Sequence, residues 1–251
     1  MGSSRTVIVT GAAEGLGRAI AGRLGADGYS VVVTDLKLAG AQEVAEDIVG
    51  RGGAAIGLEL DVTDAGSVRA AIDRSIEVYG AVFGLVNNAG IARATRFVDM
   101  TEADWDSVQL VNSKGTFLTC RHVVPHMIAQ GEGVIVNMSS IGGRDGFANW
   151  AHYNASKHAV IGLTRALARE IGPDGVRVNA VCPGAIRTQM WGAEAQGTDD
   201  PDAALAAMVA NMPLRRAQTP GEIAGAVAFL LSDDAYSITG QSLGVDGGLL
   251  T

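Results

Sequence analysis

Cysteine, aromatic residues and positive charge are all in short supply in this chain. Its 251 residues include two cysteines, Cys120 and Cys182, in no CxxC arrangement. That excludes a disulfide framework and points to reduced thiols in a cytoplasmic protein. The 19 lysines and arginines stand against 27 acidic residues, a net charge of −8. This balance argues against a nucleic-acid or anionic-membrane surface. No run approaches the ~18 apolar residues of a membrane span. The opening "MGSSRTVIVT" turns apolar at once, which leaves no room for the three regions of a secretory signal. Gly2 with Thr6 fits the myristoylation pattern in form only, because a strand begins immediately.

What is abundant is glycine, at 34 residues, alongside 47% hydrophobic residues. Such a chain buries a sizeable core, and its glycines fit tight strand–helix turns rather than disorder. Short β-branched runs ("TVIVT", "SVVVTD", "AAIGLEL", "VFGLVN", "GVIVNM", "GVRVNAV") alternate with longer helical patterns. The runs are apolar without strict alternation, as parallel strands covered on both faces require. This βαβαβ rhythm predicts right-handed crossovers and a doubly wound sheet. No repeat or linker interrupts it, so residues 1–251 are expected to form one domain. Residues 188–218 break the rhythm by mixing helix formers with Gly, Asp and Pro. They follow a strand's C-terminal end, where α/β sheets bind ligands. The segment reads as a mobile substrate lid, with Met190 and Trp191 as pocket candidates.

The first strand runs into "TGAAEGLG". Gly11, Gly15 and Gly17 let the backbone approach a pyrophosphate, and the helix that follows aims its N–H groups at it. The second strand ends in Asp35, whose carboxylate can accept from ribose hydroxyls and repels a 2′-phosphate. Glu14 and Leu36 stand where a phosphate-tolerant site needs a cation, and only Lys37 points the other way. The expected cofactor is NAD.

"YNASK" places Tyr153 and Lys157 four apart, on one helix face. A solvated surface pair and a phenol activated by an ammonium both fit that spacing. Ser140 precedes them, just past the fifth strand, so two hydroxyls could converge on one substrate oxygen.

Taken in order, these motifs resemble those of the short-chain dehydrogenase/reductase family, compact type, along nearly the whole chain. They are "TGAAEGLG", "LDVTD", "NNAG", "VNSKG", "NMSSIGG", "YNASK", "PGAIRT" and "ITGQSLGVDGG". The resemblance implies a single Rossmann domain, its mostly parallel seven-stranded sheet flanked by helices on both faces. It implies cofactor contacts from Gly11, Glu14, Gly15, Leu16 and Gly17, and from Asp35 and Leu36. Asp61 and Val62 would meet the adenine; Asn88, Ala89 and Gly90 would lie beneath the cofactor. Pro183, Gly184, Ile186 and Thr188 would surround the nicotinamide carboxamide.

The same resemblance implies a catalytic set of Asn112, Ser140, Tyr153 and Lys157, the last two also touching the cofactor. As a tyrosinate, Tyr153 would take the hydroxyl proton while hydride leaves carbon. Ser140 would hold the substrate oxygen, Lys157 would favour the phenolate, and Asn112 would hold a water linking Lys157 to solvent. Ser140, Gly142, Trp150, Tyr153, Met190 and Trp191 form the expected substrate pocket. Helices near 103–130 and 152–171 are those that family members often pack into homotetramers. One departure is that Ser113 and Lys114 follow Asn112 where apolar or small residues are frequent.

Beside Trp150, His152 is expected to wall the substrate pocket, with core packing as the alternative for both. His122 and His126 stand four apart on a helix, but Pro125 intrudes and nothing nearby in sequence completes a shell, so no metal is expected. The expectation is therefore an NAD-dependent oxidoreductase acting on a small secondary alcohol or polyol, or its ketone. One alternative is a 3-oxoacyl carrier-protein reductase, an activity that usually goes with NADPH and a basic docking patch. Another is a non-catalytic cofactor-binding regulator, whose sign would be loss of a tetrad residue; none is lost.

Overall fold

The apolar runs become seven strands: β1 (Thr6–Thr10), β2 (Ser30–Asp35), β3 (Ala54–Glu59), β4 (Gly84–Asn87), β5 (Gly133–Met138), β6 (Val176–Pro183) and β7 (Ser242–Val245). The computed structural model describes residues 5–186 and 200–250. The strands form one sheet in the order β3-β2-β1-β4-β5-β6-β7. Every pairing is parallel, so the sheet is parallel throughout rather than mostly so. From β1 the chain winds outward to β2 and β3, then returns to β1's other side at β4. That reversal is a topological switch point, where α/β sheets open a ligand crevice at their C-terminal edge.

Neighbouring strand residues feed opposite core layers, as the two-residue period of a strand dictates. Val7, Val9, Val31 and Val33 pack with helices α1 (Gly15–Ala26) and α2 (Leu38–Gly50). Ile8, Val32, Leu85 and Ile135 face the other way, against α3 (Ala65–Tyr79). Helix caps follow from the sequence: Asp64 accepts from Gly66 N ahead of α3, and Thr101 with Asp104 forms a capping box ahead of α4 (Glu102–Val108).

Between α4 and α5 (Gly115–Gln130) the helix widens into a π-helical turn at Gln109–Lys114. Ser113 Oγ donates to the Gln109 carbonyl at 2.8 Å and Thr116 Oγ1 to the Asn112 carbonyl at 2.7 Å. Hydroxyls that compete for carbonyls four residues back loosen an α-helical ladder, and such widened turns recur at functional sites. After α6 (Ala151–Ile171) and β6, residues 187–199 lie outside the described residues, and with them Thr188, Met190 and Trp191. The rest of the expected lid includes α7 (Pro201–Ala210), N-capped by Asp200, with Leu205 packed on Ala185 and Met212. Helix α8 (Pro220–Leu231) then joins α1 and α2 on their face of the sheet.

Candidate active site

The C-terminal edge of the sheet opens into one cleft of about 690 Å³. The turn after β1 forms its floor and is locked by two side chains. Thr10 Oγ1 accepts from Asn88 N and Ala89 N, each at 3.0 Å. Asn88 Nδ2 donates to the Thr10 carbonyl at 3.0 Å and the Gly11 carbonyl at 2.9 Å. Gly11 holds a φ of +61°, and a Cβ there would stand 2.9 Å from Ala89 Cα. A side chain at Gly17 would run into the Gly11 carbonyl itself. The first turn of α1 carries no acidic residue, and its N-cap Glu14 makes no side-chain cap bond. The helix end is therefore an electropositive cradle with room for a phosphate.

At the far end of this floor sits Asp35. Its carboxylate accepts from Ala13 N at 3.1 Å and from Lys37 N at 3.0 Å, which fixes it at the tip of β2. Lys37 Nζ lies 3.6 Å from Glu14 Oε1. The one cation expected to favour a 2′-phosphate is thus paired with a carboxylate. Asp61 and Val62 also line this end; Asn88, Ala89 and Gly90 line the middle, with Pro183, Gly184 and Ile186 toward β6. The glycine turn, the helix end and the Asp35 carboxylate together fit a dinucleotide lying across the switch point.

The catalytic candidates gather where α6, packed along β6, passes the end of β5 and the loop after β4. Lys157 is buried; its Nζ donates to the Met138 carbonyl at 2.9 Å and lies 5.6 Å from the centre of the Tyr153 ring. A Cβ at Gly90 would stand 3.5 Å from that Nζ and 3.2 Å from Asn112 Oδ1, which places the loop after β4 against both side chains. Ser140 Oγ accepts from Gly142 N at 3.1 Å, and among the described residues its own proton has no acceptor and can meet a substrate oxygen. A Cβ at Gly142 would stand 3.3 Å from Tyr153 Cε1, which places the serine turn against the tyrosine ring.

Asn112 does not line the cleft but lies buried behind it. Its amide exchanges bonds with Ile91, Oδ1 accepting from Ile91 N at 2.8 Å and Nδ2 donating to the Ile91 carbonyl at 2.9 Å. It thereby fixes the loop after β4 against the widened turn.

Trp150 lines the cleft as expected and meets Tyr153 edge-on at 5.7 Å between ring centres. His152 does not line it. One residue before Tyr153 on the helix, its ring turns inward and is fully buried, with neither nitrogen hydrogen-bonded among the described residues. Burial pushes its pKa below the ordinary imidazole value, opposed by nearby Asp104 and assisted by Arg93. The helical period, not proximity in sequence, decides which side faces the substrate. Elsewhere, His122 Nδ1 bonds the Leu118 carbonyl of its own helix at 2.8 Å. Among the described residues no three His, Cys, Asp or Glu side chains gather as a metal site. Both cysteines are free thiols, and burial pushes Cys120 up to about 12.

Sequence reasoning missed the rest of the wall. Ile91, Val111, Phe147 and Ala148 line the cleft, and so do Ala204 and Met208, one turn apart on α7. Only their i,i+4 spacing signalled the α7 pair; Ile91, Phe147 and Ala148 lie in loops that carry no periodic mark, and Val111 lies in the widened turn.

Three comparisons agree with this geometry. A family profile described as enoyl-(acyl carrier protein) reductase matches residues 11–250. The chain is 38% identical over 247 residues to a 3-oxoacyl-(acyl-carrier-protein) reductase of Thermotoga maritima, covering 98% of each. It is 39% identical over 246 residues to 2-(S)-hydroxypropyl-CoM dehydrogenase 3 of Xanthobacter autotrophicus, covering 98% of this chain and 96% of that one. The crystal structure of levodione reductase superposes with a TM-score of 0.93 at 36% identity, covering 97% and 96%. Likenesses that run from the glycine turn to β7 at this identity admit one assignment: the chain belongs to the short-chain dehydrogenase/reductase family of oxidoreductases, which bind a nicotinamide cofactor.

Proposed function

We propose that the protein interconverts a small secondary alcohol and its ketone using NAD. The observation that carries the reaction is the buried Lys157 ammonium set over the Tyr153 ring, with Ser140 at the same corner of the cleft. When bound, the nicotinamide takes hydride in oxidation and returns it in reduction. Tyr153 holds the substrate hydroxyl proton in transit: its phenolate removes it in oxidation, and its phenol supplies it in reduction. Lys157 favours the phenolate by charge, and Ser140 donates to the substrate oxygen. Gly11, Gly15 and Gly17 leave room for the pyrophosphate.

The preference for NAD rests on Asp35 and on the Glu14–Lys37 pair, which together present a 2′-phosphate with carboxylates rather than an unpaired cation. The substrate class rests on the wall beyond Tyr153, where Phe147, Trp150 and Met208 supply apolar surface. This favours an alcohol with an apolar flank over a highly hydroxylated polyol. Trp105, Leu110 and Phe117 expose apolar side chains on α4, the widened turn and α5, which supports self-association as a homotetramer. Sedimentation equilibrium tests that assembly.

A second reading, 3-oxoacyl carrier-protein reductase, is supported by the relatives that carry that name. One assay separates the two. Initial rates are followed at 340 nm with NAD⁺ or NADP⁺ across secondary alcohols, and with NADH or NADPH on a 3-oxoacyl thioester. Turnover of alcohols with NAD⁺ supports the first reading. Efficient reduction of the thioester with NADPH alone overturns it in favour of the second.

A further inference from the structure

The widened turn grips α6 on both sides of Tyr153. Asn112 Nδ2 donates to Ser156 Oγ at 3.0 Å, and Ser156 donates to the Tyr153 carbonyl at 2.7 Å. Gln109 Nε2 donates to the His152 carbonyl at 2.9 Å, one residue before the tyrosine. Because a carbonyl only accepts, the amide's NH₂ end must face His152 and its oxygen must face away. That oxygen lies 3.0 Å from Ser113 Oγ, whose one proton it shares with the Gln109 carbonyl at 2.8 Å. Ser113 is one of the two residues that depart from the pattern the chain otherwise follows, and here it has a task. An apolar residue at 113 would leave Gln109 Oε1 with no donor among the described residues.

The first turn of α6 has few polar anchors of its own. Its N-cap, Trp150, makes no side-chain cap bond. The His152 ring has no hydrogen-bond partner among the described residues. The turn that carries Tyr153 is tied by Asn154 Nδ2, which donates to the Phe147 carbonyl at 3.1 Å, and is gripped from outside by Gln109 at one end and Asn112 at the other.

We propose that Gln109 and Ser113 are positioning residues of the reaction: a two-residue clasp that fixes the start of α6, and so the Tyr153 hydroxyl, relative to Ser140 and Lys157. The inference rests on Tyr153 being the acid–base group, as argued above. Ser113 orients the amide, the amide holds the His152 carbonyl, and the carbonyl holds the helix turn. A displacement of the phenol by a fraction of an ångström costs rate rather than binding, because the misplacement is felt at the proton in flight.

The test uses full-length Ser113→Ala, Ser113→Thr, Gln109→Met, the Ser113→Ala/Gln109→Met double variant and Tyr153→Phe. Each is measured for kcat and KM on the best alcohol from the screen, and for NADH affinity by fluorescence. Loss of one such hydrogen bond should lower kcat about three- to tenfold in Ser113→Ala and Gln109→Met, with KM and NADH affinity within about twofold. Ser113→Thr, which keeps the hydroxyl, should restore kcat. The double variant should be no slower than Gln109→Met, because the two residues act in series. Normal kcat in Ser113→Ala and Gln109→Met overturns the clasp while Tyr153→Phe still abolishes turnover. Equal losses in Ser113→Ala and Ser113→Thr overturn it as well, and this pair decides the matter should Gln109→Met not fold. Near-normal turnover in Tyr153→Phe would instead remove the acid–base reading beneath it.

Discussion

Lys157 Nζ lies over the Tyr153 ring, 5.6 Å from its centre, and is tied to the Met138 carbonyl at 2.9 Å. A lysine on a solvated helix face would swing freely; this one is buried and fixed by the end of β5. Its charge is therefore delivered at a set distance from the phenol, in a medium that screens it weakly.

Tyr153→Phe keeps the ring and its edge contact with Trp150, so the fold and NADH binding should survive. Turnover should fall by roughly two to four orders of magnitude, the usual worth of a positioned acid or base. Lys157→Ala should raise the pH at which the residual oxidation rate reaches half its plateau, because the phenolate loses its nearest stabilising charge. Ser140→Ala should lower turnover with a smaller shift of that midpoint. A pH–rate profile of the three variants checks all of this. A Lys157→Ala profile superimposable on the wild type would refute the electrostatic role.

Cofactor choice should follow the carboxylates at the tip of β2. NAD⁺ should be preferred over NADP⁺ by at least about tenfold in kcat/KM, the worth of ~1.4 kcal/mol for a carboxylate facing a phosphate. Asp35→Ala with Leu36→Arg should narrow or invert that ratio. Glu14→Gln should narrow it less, by releasing Lys37 from its pair. Fluorescence titration with NADH and NADPH reads the same order in binding alone, and a wild-type preference for NADPH counts against Asp35 as the selector.

His152 ties stability to pH. Burial holds its folded pKa below the ordinary 6.5, so the neutral ring contributes stability that is complete above about pH 6.5 and is lost as pH falls toward the folded value. Asp104 and Arg93 are the charges that face it, and they oppose each other. Between pH 7 and 5 the Tm of the wild type should therefore fall more steeply than that of His152→Leu. Parallel Tm–pH curves for the two proteins would show that the ring titrates alike folded and unfolded.

The cap of α8 sets a second acid limit. Arg216 is the main cause that holds Glu222 down at about 2, followed by the Thr219 N–H. Glu222 Oε2 accepts from Arg216 Nη1 at 2.9 Å and from Thr219 N at 2.8 Å. A depressed carboxylate contributes fully above its ordinary 4.5 and loses that contribution as pH drops toward 2. Glu222→Ala should melt below the wild type at neutral pH, with the gap closing through that acid window. A gap that persists unchanged at the acid end would assign the loss to packing rather than to the charge.

Local chemistry determined much of this protein in advance. Unbroken β-branched runs such as "SVVVTD" can only be strands covered on both faces, and the structure places β2 at Ser30–Asp35, the bounds of that run. Gly11 and Gly17 were legible because a Cβ at either position would collide with backbone, a restriction the glycine itself announces. Asp35 was legible because strand length fixes where its carboxylate emerges. The i,i+4 spacing put Tyr153 and Lys157 on one face, but a period cannot say whether that face meets water or the end of β5. Only the packing of α6 along β6 and the end of β5 buried Lys157, sent His152 into the interior, and made a partner of Ser113 for Gln109. Those outcomes depend on which helix lies beside which strand, and contacts between segments 43 residues apart, such as Gln109 with His152, leave no periodic trace in either one.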